Sequence, residues 1–166
     1  MKPLRLKMQA FGSYGKETTI DFEKVNQNLF LITGDTGAGK TTIFDAIVFA
    51  LYGEASSSLN KKEGVVLQSQ YVDFDSEPYV ELVFSEGRDE KREIYTVRRV
   101  PRHLKTITRG ANKGKPKENT GSVSLIMPDG LEYPSKEADR KLQETVRLTK
   151  NQFMQVAMIA QGEFMD

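Results

Sequence analysis

The sequence contains no cysteine and only one histidine, His103. These absences exclude a disulfide framework, cysteine-ligated zinc and a metal centre built from several histidines. No stretch approaches the ~18 consecutive apolar residues of a membrane span. The first residues alternate charged and apolar side chains and lack the apolar core of a signal peptide. We therefore expect a cytoplasmic protein with no membrane segment.

A strong excess of charge of either sign is also missing. The 24 basic and 23 acidic side chains give a net charge of +1, so any preference for nucleic acid must be local. With 166 residues, 38% of them hydrophobic, the chain is long enough to bury a core. No repeat or interior linker divides it, and we expect residues 1–166 to form a single domain.

A glycine-rich segment between an apolar run and an apolar helix is the most informative part of the sequence. It follows the P-loop pattern G-x-x-x-x-G-K-[ST], in which backbone N–H groups surround a polyphosphate and a helix N-terminus points at it. Lys40 is expected to reach the β- and γ-phosphates and Thr41 to ligate Mg²⁺. The predicted binding residues for a nucleoside triphosphate are Gly34, Asp35, Thr36, Gly37, Ala38, Gly39, Lys40, Thr41 and Thr42.

The surrounding pattern predicts an α/β fold of the P-loop NTPase class. Residues 4–10 and 18–22 alternate as a strand hairpin, residues 29–33 form a buried strand, and residues 40–52 form a helix that is covered on most sides. Gly53 is expected to end that helix, and residues 54–64 to be a mobile connection.

An antiparallel β block and flanking helices are predicted after the connection. Residues 79–85 and 92–100 form one strand pair, and residues 122–127 and 131–133 form a hairpin about Pro128-Asp-Gly130. Residues 109–121, rich in glycine and lysine, are expected to be disordered or to form a flapping loop. Ser135 is predicted to cap a helix to about residue 148, and Asn151 one to about residue 159.

A carboxylate at the end of an apolar strand, which P-loop hydrolases need for Mg²⁺ and the attacking water, is missing. The nearest candidate is residues 125–129, where Pro128 interrupts the strand and Asp129 begins a turn, so a hairpin tip is favoured. A Ser-Gly-Gly signature run is missing too. We therefore expect half of a catalytic unit, truncated from a larger protein.

Three stretches together resemble the SbcC family, the SMC-like, Rad-type ATPase subunits of bacterial SbcCD nucleases. They are Leu-x-Leu-x-x-x-x-Phe-Gly-Ser-Tyr at residues 4–14, the phosphate loop with the helix sequence Phe-Asp-Ala-Ile-x-Phe-Ala-Leu-Tyr-Gly at residues 44–53, and Ala-Gln-Gly-Glu-Phe at residues 160–164. The resemblance covers essentially the whole chain and is weak in residues 109–121.

The resemblance implies the N-terminal lobe of an ABC-type ATPase head, truncated before a coiled coil. Its implied partners are the C-terminal lobe of the same protein, a second copy in an ATP-sandwiched homodimer, an SbcD-type nuclease and DNA. ATP binding would engage the heads, and hydrolysis would release them. It also implies that Gln161 contacts Mg²⁺ or the attacking water as a catalytic residue beside Lys40, and that Ser13 and Tyr14 line the nucleotide.

Other interpretations remain at this point. The head could belong to a segregation or recombination ATPase without a nuclease, or the chain could be a small-metabolite kinase, although no repeated βαβ units follow the loop. A basic segment could track a DNA backbone, but few aromatic residues interleave its charges, which favours a solvated hairpin. That segment comprises Arg98, Arg99, Arg102, Lys105, Arg109, Lys113, Lys115 and Lys117.

Overall fold

The computed structural model describes residues 1–24, 32–35, 37–54 and 67–157. Its main feature is a six-stranded antiparallel sheet with the strand order β2-β1-β3-β4-β7-β8. The strands are β1 Lys2–Gln9, β2 Thr18–Asp21, β3 Tyr79–Glu86, β4 Glu93–Val100, β7 Ser122–Ile126 and β8 Glu132–Pro134. The predicted hairpins of β1 with β2, β3 with β4 and β7 with β8 are all confirmed.

One face of this sheet packs against helices and forms the core. Alternate side chains of neighbouring strands lie in register on that face, as Leu6 does opposite Leu82 and Leu82 opposite Val97, and all three are fully buried. Helix α1 (Lys40–Tyr52) contacts β3 and β4, and helix α2 (Ser135–Val146) contacts β7. Apolar residues alternate along these strands because helices cover only one face of the sheet.

Helix α1 has the predicted bounds and the predicted environment. Its residues 44–51 are all buried, which explains why its sequence is apolar around the whole circumference. Gly53 ends it in the left-handed conformation (φ 74°) and donates its N–H to the Phe49 carbonyl at 2.8 Å. The prediction of Gly53 as the residue that ends the helix is confirmed.

Three arginines of the basic segment have partners within the fold. Arg98 lies over the Tyr79 ring and 3.7 Å from a Glu81 carboxylate oxygen. Arg102 forms an ion pair with Glu118 at 2.5 Å. The third, buried Arg99, points into the core face of the sheet. These contacts support the solvated-hairpin interpretation over a continuous basic track for DNA.

The predicted disorder of residues 109–121 is wrong. Strand β5 (His103–Thr106) pairs antiparallel with β6 (Pro116–Asn119) in a separate two-stranded sheet. The pairing continues toward the tip, where Ile107 N–H donates to the Lys115 carbonyl at 2.9 Å. Gly110 and Gly114 have φ of 83° and 87°, so these glycines form the turn of a hairpin and do not indicate disorder.

The predicted cap at Ser135 is also wrong. Ser135 is the first residue of α2, has a φ of 56°, and no side chain caps the helix. The helix ends at Val146, two residues earlier than expected, because Arg147 adopts the left-handed conformation and donates its N–H to the Gln143 carbonyl at 3.0 Å. The β8 strand leads directly into α2, so the chain enters this helix without a side-chain cap.

The cap of helix α3 (Lys150–Ala157) is Thr149, not the predicted Asn151. Thr149 Oγ1 accepts a hydrogen bond from the Gln152 N–H at 3.3 Å. In return, Gln152 Oε1 accepts from the Thr149 N–H at 2.9 Å. This is a capping box, whose Thr-x-x-Gln signature stands in the sequence at residues 149–152. The predicted end of the helix at residue 159 lies outside the described residues.

The buried strand predicted for residues 29–33 is not found in its described part. Ile32 and Thr33 belong to no strand and are exposed, and Ile32 retains 37% of its accessible surface. A strand needs neighbours for its backbone groups, and neither the six-stranded nor the two-stranded sheet of the described residues includes Ile32 or Thr33. Residues 29–31 and most of the connection predicted at 54–64 lie outside the described residues.

No helix in the described ranges is long and apolar enough to cross a membrane.

Candidate nucleotide site

The N-terminus of helix α1 is open toward the glycine-rich loop. Gly39 precedes Lys40 in the left-handed conformation (φ 85°), and among the described residues no side chain caps the helix. Gly37 has the same φ of 85°, which L side chains rarely adopt. The first-turn N–H groups carry the partial positive charge of the helix, so this end offers donors and a favourable field to an anion.

The Lys40 ammonium lies inside the turn made by this loop. Its Nζ donates to the Gly34 carbonyl at 2.5 Å and to the Asp35 carbonyl at 2.7 Å. The side chain therefore folds back from the first residue of the helix toward residues 34–35. A positive charge surrounded by glycine-rich backbone is the arrangement that a polyphosphate requires.

The loop that contains Ser13 and Tyr14 lies directly against the phosphate loop. Ser13 Oγ is 3.2 Å from Thr42 Oγ1. A Cβ added to Gly39 would lie 3.0 Å from the Tyr14 ring, so the ring packs on the backbone at the helix start. A Cβ on Gly12 would lie 2.5 Å from Thr42 Cγ2, which explains the glycine there. The structure thus brings Ser13 and Tyr14 to the predicted site, and their contact with a nucleotide stays a prediction.

Residues 67–69 hold the loop of residues 10–15 beside this site through backbone hydrogen bonds, and the sequence did not predict this contact. The Gly12 N–H donates to the Leu67 carbonyl at 2.8 Å, and the Ser69 N–H donates to the Ala10 carbonyl at 2.7 Å. Phe11 and Tyr14 exchange backbone hydrogen bonds of 2.9 Å, which closes the turn between them. No sequence signal could have identified residues 67–69, because the pairing is long-range and made by the backbone.

The hydroxyls of the first helical turn differ in their surroundings. Thr42 faces Ser13, whereas Thr41 is exposed and has the hard oxygen ligand that Mg²⁺ prefers. In the described residues, no group of three or more His, Cys, Asp or Glu could hold a metal ion. The loop fits a magnesium-bound polyphosphate better than a free cation, since one hydroxyl needs phosphate oxygens to complete the coordination.

Two predicted site residues, Thr36 and Gln161, lie outside the described residues. The binding, metal and catalytic roles expected of them therefore stay predictions.

The hairpin-tip interpretation of residues 125–129 is confirmed. Strand β7 ends at Ile126, and Asp129 Oδ1 accepts from the Leu131 N–H at 3.0 Å within the turn. The Gly130 N–H donates to the Met127 carbonyl at 2.9 Å. Asp129 is an exposed turn residue and not an acidic end of a strand beside Lys40.

Known proteins with similar sequences carry a consistent name. The chain is 34% identical over 168 residues to SbcC of the SbcCD nuclease of Vibrio cholerae, 35% over 170 residues to that of Staphylococcus aureus, and 29% over 170 residues to that of Lactococcus lactis. Each alignment covers 99% of this chain and 16% of the relative. The chain therefore spans about a sixth of the length of these relatives, and the sequence resemblance to SbcC is confirmed.

A solved structure and a family model agree with this similarity. A structure from work on the ATP-driven dimerization and DNA-stimulated activation of SMC ATPases aligns with a TM-score of 0.59 at 19% identity, covering 98% of this chain and 88% of the other. This likeness confirms the predicted fold class, an α/β P-loop ATPase lobe with an antiparallel β block and flanking helices. A family model described as an AAA domain matches residues 5–166, which include the open helix end and Lys40. The chain belongs to the AAA domain family.

Proposed function

We propose that this chain is the N-terminal, ATP-binding lobe of an SMC-like ATPase head that acts in DNA double-strand break repair. The observation that carries the proposal is the uncapped N-terminus of α1, with the Lys40 ammonium held inside the adjoining loop. The similarity to SbcC of the SbcCD nucleases supports the choice of this ATPase class among P-loop proteins.

The residues of the loop have distinct tasks toward ATP. Lys40 exchanges its two carbonyl acceptors for β- and γ-phosphate oxygens, which gives stronger, charge-assisted hydrogen bonds. The first-turn N–H groups of α1 donate to the same phosphates, and Thr41 supplies a ligand to Mg²⁺. Mg²⁺ neutralises charge on the phosphates, and Tyr14 keeps Gly39 in place beneath them.

Hydrolysis requires a carboxylate that polarises water, and we assign it to another part of the protein. We propose that the C-terminal lobe completes the site, that a second copy closes over ATP, and that this engagement controls an SbcD-type nuclease on DNA. The 16% coverage of the relatives supports a missing lobe, and the solved SMC neighbour supports ATP-driven dimerization.

Binding and turnover measured on the same 166-residue chain test the proposal. Calorimetric titration with ATP is expected to show one site that requires Mg²⁺. Steady-state turnover is expected to stay far below about 1 s⁻¹, the lower end for typical enzymes. Turnover above that rate, abolished by Lys40→Ala, would show that the chain carries its own catalytic carboxylate. Absence of ATP binding would overturn the nucleotide site itself.

A head without a nuclease partner is the second candidate, because the solved neighbour comes from SMC ATPases. Affinity purification of the full-length protein separates the two candidates. Recovery of a metallophosphatase-type nuclease supports the first, and its absence under conditions that preserve the ATP-bound dimer supports the second. A small-metabolite kinase is disfavoured, since antiparallel strands and not βαβ units follow α1 in the described chain.

A further inference from the structure

The β5–β6 hairpin is a bent continuation of the β4–β7 pair. Strand β4 ends at Val100 and β5 begins at His103, while β6 ends at Asn119 and β7 begins at Ser122. Gly121 lies in this bend with a φ of 78°, and a Cβ there would lie 2.4 Å from the Val100 carbonyl oxygen. β5 and β6 pair with each other in a separate two-stranded sheet, so neither strand belongs to the hydrogen-bonded ladder of the main sheet.

In the structurally described ranges, the hydrogen bonds that join this hairpin to residues 67–78 come from the side chain of Gln68. The Gln68 amide donates from Nε2 to the Leu104 carbonyl at 3.0 Å, and its Oε1 accepts from the Leu104 N–H at 2.9 Å. In the described part of the chain, these are the hydrogen bonds between residues 67–78 and the hairpin. Gln68 is 8% exposed, so both groups of its amide are satisfied away from bulk water.

A cavity open to solvent lies beside these hydrogen bonds. Its volume is about 460 Å³, and its lining includes Gln68, Phe74 and Leu104. In the described residues, the Gln68 amide therefore supplies the hydrogen-bonded connection between β5 and residues 67–78.

The backbone on both sides of Gln68 holds the loop that faces the nucleotide site. Leu67 accepts from Gly12, and Ser69 donates to Ala10. The next residues of that loop, Ser13 and Tyr14, contact Thr42 and pack on Gly39. A continuous set of contacts thus runs from the first turn of α1 through this loop and Gln68 to Leu104.

We infer that Gln68 is a positioning residue that makes the β5–β6 hairpin and the loop of residues 10–15 move as one unit. The inference rests on the proposed binding of ATP beside that loop. When ATP–Mg²⁺ restrains the loop, the restraint reaches β5 through the Gln68 amide, and the amides of β5 and β6 become more protected.

Hydrogen exchange of the 166-residue chain, with and without ATP and Mg²⁺, tests this inference. In the wild type, ATP is expected to slow exchange in residues 10–15 and also in β5 and β6. In Gln68→Met the first response persists, whereas the ATP-dependent response of β5 and β6 falls by about 5-fold or more, as expected for the loss of two hydrogen bonds. Gln68→Glu keeps the acceptor for the Leu104 N–H and is expected to give an intermediate response.

The matched control is Gln70→Met, an equal change at an exposed glutamine in the same segment. It is expected to leave both responses unchanged. Equal ATP responses of the hairpin in the wild type and Gln68→Met would overturn the inference while leaving ATP binding in place. The inference would also be overturned if Gln70→Met reduced the ATP-dependent protection of β5 and β6 as much as Gln68→Met does. Absence of ATP binding by the wild type would overturn the proposed function as well. A separate calorimetric titration of the wild type with ATP shows whether this is the case.

Discussion

The two ends of helix α1 are built in opposite ways. At the C-terminal end, Gly53 closes the last turn, and buried Arg99 donates from Nε to the Ala50 carbonyl at 3.1 Å. Arg99 also donates from Nη2 to Asp139 Oδ1 at 2.6 Å, which joins β4, α1 and α2. At the N-terminal end, no side chain of the described residues caps the helix, and the partners found there for the Lys40 ammonium are the Gly34 and Asp35 carbonyls.

Because of this difference, the C-terminal end of α1 contributes to the stability of the fold, and its N-terminal end is available for binding. A cation at a helix C-terminus interacts favourably with the dipole and satisfies otherwise unpaired carbonyls, so it stabilises the folded chain. The open N-terminus leaves donors and positive potential to an external anion. Substitutions at one end should therefore change the free energy of unfolding, and substitutions at the other should change the affinity for ATP.

The largest expected effect is the loss of ATP binding in Lys40→Met. Removing two or more charge-assisted hydrogen bonds, each worth about 1.5–3 kcal/mol, should weaken ATP–Mg²⁺ binding by about 100-fold or more in calorimetric titrations. Stability in urea should change by less than about 0.5 kcal/mol, because the loop is exposed. Lys136→Met, at an exposed position of α2, is the control. Binding within about 3-fold of wild type would contradict the assigned role of Lys40.

The second effect is the loss of stability in Arg99→Met. The variant leaves the Ala50 carbonyl without its donor in the core and Asp139 without its partner, and we expect a cost of about 2–3 kcal/mol in urea unfolding. The estimate is below that for a fully buried pair because the Asp139 side chain is 46% exposed. The affinity of the folded variant for ATP should stay within about 3-fold of wild type.

The neighbouring Arg98→Met is a matched control for Arg99. The Arg98 side chain is 42% exposed and its ion pair with Glu81 is 3.7 Å long, so the expected cost is below about 1 kcal/mol. Equal costs for the two variants would mean that Arg99 does not stabilise the end of α1 specifically.

The elements that sequence alone predicted are those whose signals are local. An apolar circumference and a following glycine gave the bounds of α1, and Pro128-Asp-Gly130 gave the β7–β8 turn. The β5–β6 hairpin was missed because every residue of β6 is exposed, so no alternation of apolar residues marks it. Its strands are joined by backbone pairing, and Gln68 contacts β5 from a distant part of the chain.

The candidate site also has a part with a local sequence signal and a part without one. Its phosphate loop follows a contiguous pattern, so each of its residues could be named from the sequence. Residues 67–69 contact the site's neighbouring loop through backbone hydrogen bonds, which do not depend on side-chain type and cannot be predicted from it. The Thr149–Gln152 capping box, by contrast, has a local Thr-x-x-Gln signature, although the predicted cap was Asn151.

A smaller effect is expected for Gly53→Ala. An alanine in the left-handed conformation costs about 1 kcal/mol, and its Cβ would also lie 3.1 Å from Arg99 Nη1. We expect a total cost of about 1–2 kcal/mol in urea unfolding. Gly110→Ala is the matched control, since its φ of 83° is similar but no atom lies within 4 Å of the added Cβ. If both variants lose the same stability, contact with Arg99 contributes nothing at position 53.

The smallest effect concerns Tyr52, the last residue of α1, and it is a change of stability with pH that appears only above about pH 10. Burial raises the pKa of the Tyr52 hydroxyl to about 12, and this hydroxyl donates to the Leu148 carbonyl at 3.0 Å. Because its pKa is higher in the folded state than the ordinary value of 10.0, its contribution is fully present below about pH 10 and is lost as the pH rises toward about 12. Ionisation would also place a negative charge at the negative end of the helix.

The measurement for Tyr52 is the difference in urea stability between wild type and Tyr52→Phe from about pH 8 to about pH 11.5. The difference should be constant up to about pH 10 and then shift in favour of the variant, because phenylalanine cannot ionise. Burial raises the pKa of Tyr79 to about 12 as well, with its hydrogen bond to Glu17 as a further cause, so wild-type stability alone would not isolate one tyrosine. The Tyr79→Phe variant should therefore still lose stability above about pH 10 through ionisation of Tyr52. A difference between wild type and Tyr52→Phe that stays flat over the whole range would mean that the closed end of α1 does not restrain this hydroxyl.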